Sequence, residues 1–188
     1  MSELIYEQKE FLTLYRKFFG QEYPTNIQVN RETRIQAQMM GYILSQASVH
    51  IGDYGYLWDT YGPSSSGLQD DFNFLDNNIE KIVEFYNQYP KDDMLFTLDE
   101  EINGLFSKSQ GEKIDWIVKE LKIREHKDDI CWWMQLLGSM SFIANCNLPN
   151  SSFEKVNNNL MARMPQYNDI TINRNVWKAL IKTNIIQD

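Results

Sequence analysis

The chain of 188 residues has few of the residue types from which disulfides and metal sites are built. It contains two cysteines, Cys131 and Cys146, and two histidines, His50 and His126. A zinc site needs three or four ligands, usually with more cysteine and histidine than this. Both cysteines fall in one predicted helix, about 22 Å apart at 1.5 Å per residue, so they cannot pair with each other. We therefore expect reduced thiols in a cytoplasm, no bound metal and no cofactor.

Long apolar runs and a secretion signal are also lacking. The stretch 130–149 carries no charge, but polar residues interrupt it at Gln135, Ser139, Ser141, Asn145 and Asn147. A membrane span needs about 20 predominantly apolar residues, so a central buried helix is the better interpretation. The first ten residues, MSELIYEQKE, have neither the basic start nor the apolar segment of a secretion signal. We expect a cytoplasmic protein without a membrane partner.

Basic residues are fewer than acidic ones, 18 against 26, which gives a net charge of −8. Residues 69–101 alone hold ten acids and two bases, a surplus equal to the net charge of the whole chain. Such a protein repels phosphate backbones, which disfavours duplex nucleic acid as the main partner. The acidic block is either a solvated helix face or a surface that meets a basic protein.

Helical periodicity is abundant. Apolar residues at three- and four-residue steps predict helices over 3–19, 31–48, 64–89, 111–122, 128–146, from Ser151 or Ser152 to about 164, and over 173–183. Thr97 is a candidate cap for one further short helix. The short links favour one domain over residues 1–188, an all-α compact bundle of about seven or eight helices. Two interpretations stay open for residues 52–61: a short β-hairpin near residues 53–61, or an extended connector.

The stretch YGPSSSGLQDDF, Tyr61–Phe72, is the strongest candidate in the sequence for a catalytic or binding loop. A G-x-S-x-G nucleophile elbow does not fit, because position 66 is serine and Gly67 lies one residue too far. An anion cradle at a helix N-terminus is the second interpretation. The third, which we favour, is a helix start in which Pro63 directs the chain and a serine caps. We identify no catalytic residue in this stretch.

Two further constellations are weak signals for catalysis. Asp76, Glu80 and Glu84 form a carboxylate ladder at four-residue spacing, but no Glu-x-x-His segment exists to complete a metal site. His50 and His126 each lie near aspartates, and an isolated histidine says little about general-base chemistry. We expect an exposed acidic helix face and structural or surface histidines.

Two segments together resemble a known family. RETRIQAQMMGYIL (Arg31–Leu44) followed by WDTYGPSSSGLQDDF (Trp58–Phe72) is similar to the bacterial YwgA-like proteins, and more distantly to the Panacea (SocA-like) antitoxin domain. Those families place an Arg/Thr-Leu-Gln-Lys helix before an aromatic-Tyr-Gly-Pro turn. WWMQLLGSMSFIA (Trp132–Ala144) and the ending 158–186 resemble later segments of YwgA-like proteins. The chain departs at Ala37, where the family has lysine, and at Ser64, where YwgA-like members have tyrosine.

The resemblance implies an all-α interaction domain, and Panacea domains act as antitoxins by binding toxin proteins. We therefore expect a non-enzymatic protein-interaction module, antitoxin- or adaptor-like, with a protein partner bound at Arg31, Arg34, Gln36, Tyr61, Gly62, Pro63 and Ser64. Two alternatives remain. One is a small-anion binder or enzyme that uses the helix start Ser64–Gly67 with His50. The other is a nucleic-acid-associated regulator whose helix pair in 158–186 has a winged-helix-like character, with the basic residues Arg163, Arg174, Lys178 and Lys182. A homo-oligomer stays open.

Overall fold

The computed structural model describes residues 3–25, 31–90, 96–97 and 106–187, and the expectation of a mainly α fold is confirmed there. These residues form eight α-helices: α1 (Tyr6–Phe19), α2 (Arg31–Gln46), α3 (Ser66–Asp76), α4 (Ile79–Gln88), α5 (Lys108–Glu120), α6 (Ile130–Cys146), α7 (Phe153–Arg163) and α8 (Ile170–Lys182). Between α2 and α3 lies an antiparallel hairpin of β1 (Leu57–Asp59) and β2 (Gly62–Ser64). A two-residue parallel pair, β3 (Phe96–Thr97) and β4 (Phe106–Ser107), precedes α5.

Helix α6 is the centre of the bundle, as its uncharged sequence predicts. It packs against α2, α7, α8 and β2, with α2 as its main neighbour. Gly138 permits the close approach of α2, because a Cβ at this glycine would lie 2.4 Å from the sulfur of Met39. None of the helices in the described segments combines the length and the apolar character that a membrane crossing needs.

Helix ends follow the capping residues of the sequence. Gly20 ends α1 in the left-handed conformation, with φ of 70°, and its N–H donates to the carbonyl of Arg16. The hydroxyl of Ser65 accepts from the N–H of Leu68 at the start of α3, and that of Ser152 accepts from Lys155 at the start of α7. The favoured interpretation of the serine-rich stretch as a capped helix start is thus confirmed.

One long predicted helix, 64–89, is two helices in the structure. The chain breaks at Asn77 and Asn78, whose side-chain amides donate to the carbonyls of Asn73 at 2.6 Å and Phe74 at 2.7 Å. These bonds satisfy carbonyls at the end of α3 that a continuous helix would have bonded itself. The apolar period continues across the break because α3 and α4 bury their stripes in the same core, which hid the boundary from sequence analysis.

The hairpin near 53–61 exists, but it lies further along the chain. It runs from 57 to 64, pairs Leu57 with Ser64, and includes Pro63, which the sequence places at the approach of a helix. The short helix that Thr97 was expected to cap falls on residues 98–105, outside the described part of the chain. Cys131 and Cys146 stand at opposite ends of α6 as free thiols. Burial, with a smaller contribution from Glu32, raises the pKa of Cys131 to about 11.

Candidate functional site

A pocket of about 580 Å³ opens where the start of α2 faces the hairpin and the start of α3. We call it the α2–hairpin pocket, and its lining residues are Arg31, Arg34, Ile35, Gln38, Met39, Asp59, Tyr61, Gly62, Pro63, Ser64, Ser65, Ser66 and Gln69. Six of the seven residues predicted to bind a partner are among them. The seventh, Gln36, is buried in α2 and does not line the pocket.

Arg34 is held by the protein itself. Its guanidinium forms an ion pair with Asp76 and donates to the amide oxygen of Asn73 at 3.1 Å. The hydroxyl of Tyr23 donates to the other oxygen of Asp76 at 3.3 Å. Burial, and then the charge of Asp76, raise the pKa of Tyr23, so the hydroxyl remains a donor at neutral pH. Arg34 therefore joins α2 to the end of α3, and its charge is largely neutralised.

Arg31 is placed differently. The carbon of its guanidinium lies 4.0 Å from the centre of the Tyr61 ring, a cation–π contact. Within the described residues, no carboxylate forms an ion pair with Arg31. Because the ring fixes the guanidinium through its flat face, the N–H groups along its edge stay available for a planar acceptor. Arg31 is thus the cation that the pocket offers to a ligand.

Gln38 fixes the junction between the hairpin and α3. Its side-chain N–H donates to the carbonyl of Ser65 at 3.0 Å, and its oxygen accepts from the N–H of Ser65 at 2.9 Å. Both residues are buried and lie 27 positions apart. This pair of side-chain bonds joins α2 to the chain that follows β2. Sequence analysis chose Gln36 and missed Gln38, because the sequence does not indicate which face of α2 each glutamine occupies.

Gly62 brings the hairpin close to the central helix. Its φ is 114°, and a Cβ there would lie 2.7 Å from the hydroxyl oxygen of Ser139. From the same helix, the side-chain N–H of Gln135 donates to the carbonyl of Tyr61 at 3.2 Å. The turn that holds Tyr61 is therefore fixed on α6, and the Tyr61 ring is held in place beneath Arg31.

The structure does not bring His50 to this pocket. The Nδ1 atom of His50 lies 2.9 Å from Oε1 of the buried Glu10, and the other carboxylate oxygen accepts from the N–H of Gly52 at 2.9 Å. The proposed pairing of His50 with the helix start Ser64–Gly67 therefore has no geometric support. Among the residues with assigned positions, no group of three or more histidines, cysteines or acids converges as a metal site would require.

The basic residues of the last helices are mostly engaged within the molecule. The guanidinium of Arg163 lies 4.8 Å from the ring centre of Trp58, and that of Arg174 lies over Phe153 and 3.9 Å from Glu154. Lys182 pairs with Glu120 at 2.8 Å. Lys178 is the member of this set for which the described part of the chain shows neither an ion pair nor a cation–π contact. These contacts reduce the positive charge that a nucleic acid would meet.

In comparisons with known proteins, no family model matches the chain, and neither a curated protein nor a solved structure matches it with significance. The function must therefore be argued from the site itself.

Proposed function

We propose that this protein is a cytoplasmic interaction module, antitoxin- or adaptor-like, whose α2–hairpin pocket receives a carboxylate-bearing segment of a partner protein. The observation that carries the proposal is Arg31, a cation stacked on Tyr61 without an ion pair in the described residues. Of the other strong polar groups of the pocket, Arg34 and Gln38 are used within the fold, and the carboxylate of Asp59 accepts from the N–H of Thr60 at 2.6 Å.

The pocket has the chemistry of an anchor site. Its volume, about 580 Å³, suits one or two side chains of a docked segment. Ile35, Met39 and Pro63 give it apolar walls, and Arg31 stands at its polar side. Arginine recognises a carboxylate through two parallel hydrogen bonds, and arginine and tyrosine are frequent energetic anchors of protein interfaces. An acidic residue next to an apolar one would match this arrangement.

One of the two departures from the resembled family bears on the same proposal. Ala37 is fully buried, so the lysine that the family carries there would not reach the surface in this structure. Ser64 lines the α2–hairpin pocket where YwgA-like members have tyrosine. A serine leaves space that a tyrosine ring would fill. If the resemblance holds, the pocket of this chain accepts a bulkier occupant than the family pattern implies.

The test is affinity capture from the native host with two matched variants. Arg31→Gln removes the cation of the pocket, and Arg174→Gln removes an arginine that also lies over an aromatic ring, Phe153, outside the pocket. We expect one partner protein to be captured by the wild type and by Arg174→Gln, and about tenfold less by Arg31→Gln, since a charge-assisted contact contributes about 1.5 kcal/mol or more.

The partner identified in this way is then titrated against the purified protein. Equal affinity for Arg31→Gln and Arg174→Gln would contradict the proposed site. Complete competition by a small dicarboxylate such as succinate, at concentrations where acetate has no effect, would instead favour the small-anion-binding alternative. In that alternative the pocket would hold a free metabolite and not a protein segment.

A further inference from the structure

A second cavity, of about 720 Å³, lies between the start of α6 and the outer face of α8. We call it the α6–α8 groove. It shares no residue with the α2–hairpin pocket, and Lys122 and His126 from the segment after α5 also line it. Its volume lies within the range of small-molecule sites, about 300 to 1,000 Å³.

One wall of the groove is a stack of aromatic rings. The ring of His126 lies parallel to that of Trp133, with centroids 3.8 Å apart and an angle of 11° between the planes. Trp133 is fixed by its indole N–H, which donates to the carbonyl of Leu121 at 2.7 Å. Trp132 lines the groove beside them and is itself packed against Tyr167, at 5.0 Å between centroids. Rings held in this way lose little conformational freedom when a ligand binds.

The opposite wall is an apolar stripe on α8. Ile172, Val176 and Ala179 follow one another at helical spacing and all line the groove. A flat ligand between this stripe and the aromatic wall would contact apolar carbon on one face and aromatic rings on the other. Planar aromatic molecules have the shape and the surface that such a slot buries best.

One charge at the rim, the ammonium group of Lys178, favours an anionic ligand. Glu120 pairs with Lys182 at 2.8 Å, and the carboxylate of Asp129 accepts a hydrogen bond from His126 at 3.0 Å, so both acids already have partners within the protein. Lys122 pairs with Glu125 at 3.7 Å. Lys178 lines the same groove, and the described residues show no ion pair for it. The groove therefore presents one ammonium group that a bound anion can neutralise.

We propose that the α6–α8 groove is a binding site for a flat aromatic molecule with one negative charge, such as an aromatic carboxylate. The ring lies between Trp132 and the apolar stripe of α8, and the carboxylate meets Lys178. This site is independent of the interaction module proposed above, because neither its walls nor its charge depend on Arg31.

The probe that tests the groove is 2-naphthoate, compared with the neutral 2-naphthalenemethanol, with the tryptophan indole N–H signals followed by NMR. We expect 2-naphthoate to shift the signals of Trp132 and Trp133 and to bind about three- to tenfold tighter than the alcohol, as expected for one partly solvated charge contact. Lys178→Gln should remove this difference. Lys155→Gln, an exposed lysine of α7 outside the groove, should keep it.

A second pair of variants tests the position of the ligand. Asn175 is exposed on the groove wall, so Asn175→Phe fills the slot without removing a buried contact. It should abolish binding of 2-naphthoate, whereas Asn158→Phe, at an exposed position of α7, should not. The proposal is overturned if millimolar 2-naphthoate shifts neither indole signal, if both probes bind equally, or if Asn175→Phe binds like the wild type. Arg31→Gln should bind 2-naphthoate normally, which separates this result from the fate of the first proposal.

Discussion

The two cavities are built by different forces. The α2–hairpin pocket is held by polar contacts between distant segments: Gln38 to Ser65, Arg34 to Asp76, and a glycine that lets the hairpin touch α6. The α6–α8 groove is held by aromatic stacking on the central helix and an apolar stripe on α8. In the α2–hairpin pocket, the residues that stabilise the fold differ from the residue that would contact a ligand. In the α6–α8 groove, the same rings support the fold and would touch the ligand.

This difference predicts where substitutions act on stability and where they act on binding. Around the α2–hairpin pocket, Gly62, Gln38 and Arg34 should affect the free energy of unfolding, while Arg31 should affect partner binding alone. Around the α6–α8 groove, no such separation is expected for Trp133, which is nearly buried and hydrogen-bonded. The groove can be probed cleanly only at its exposed rim.

The largest effect on the α2–hairpin pocket is expected from Gly62→Ala. Alanine at this position would have to adopt the positive φ of Gly62, which L residues disfavour. Its Cβ would also lie 2.7 Å from the Ser139 oxygen, so the hairpin must move away from α6. Backbone strain and the clash together should lower the free energy of unfolding by about 2 to 4 kcal/mol. The measurement is urea denaturation followed by circular dichroism.

Gly55→Ala is the matched control for Gly62→Ala. A Cβ at Gly55 meets nothing within 4 Å, and its φ lies outside the left-handed region. We expect a change within about 0.5 kcal/mol. Equal losses for the two variants would mean that the contact between the hairpin and α6 is not what holds Gly62 in place.

The next largest effect is expected from Gln38→Ala. Removal of this side chain leaves the buried N–H of Ser65 without its acceptor and takes one donor from the Ser65 carbonyl. An unsatisfied buried group costs about 1 to 3 kcal/mol, so we expect a loss of about 2 kcal/mol in thermal or urea unfolding. Gln88→Ala, at an exposed position of α4, should change stability little. A loss for Gln38→Ala as small as that of the control would contradict the role given to this bond pair.

The hairpin side of the α2–hairpin pocket could be predicted from the sequence because its residues are neighbours in the chain. The sequence contains Tyr61, Gly62, Pro63 and Ser64 in direct succession. A Gly-Pro pair followed by serines is typical of a turn that leads into a helix. The same is true of the helices, whose period and end signals predicted most boundaries within a few residues. The break at Asn77 and Asn78 was missed since two helices in one core keep one apolar period.

The α6–α8 groove could not be predicted, because its walls come from residues about 40 positions apart along the chain. Nothing in the order of the residues indicates that Trp132 and Val176 face the same cavity, or that His126 stacks on Trp133. For the same reason Gln38 was passed over, since its partner Ser65 is 27 residues away. Pairings that depend on tertiary packing leave no local pattern to read.

A smaller effect should separate the two arginines of the α2–hairpin pocket. Arg34→Gln removes the ion pair with Asp76, and a double-mutant cycle with Asp76→Asn should give a coupling of about 1 kcal/mol, as expected for a partly exposed pair. Arg31→Gln should leave unfolding unchanged within about 0.5 kcal/mol, because among the described residues its side chain has only the contact with the Tyr61 ring to lose. A greater loss of stability for Arg31→Gln than for Arg34→Gln would reverse the roles assigned here.

The smallest effect concerns pH and the segment that leads into the hairpin. The hydrogen bond to Glu10, together with its charge, raises the pKa of His50 above its ordinary value of 6.5. A raised pKa in the folded state means that protonated His50 stabilises the fold. This contribution is fully present below the unfolded pKa and is lost as the pH rises through the folded pKa. Since the His50 side chain is 59% exposed, solvent screening should keep it below about 1 kcal/mol.

The variants His50→Gln and His126→Gln test this pH effect, with His126 of the α6–α8 groove as the control. Urea unfolding at several pH values should show that the wild type and His126→Gln lose stability relative to His50→Gln as the pH rises from slightly acidic to slightly alkaline. NMR titration of His50 should give a pKa above that of an unfolded peptide. If His50→Gln followed the wild type across this range, the bond to Glu10 would not couple the hairpin segment to α1. The polar region would then depend on Gln38 and Gly62 alone.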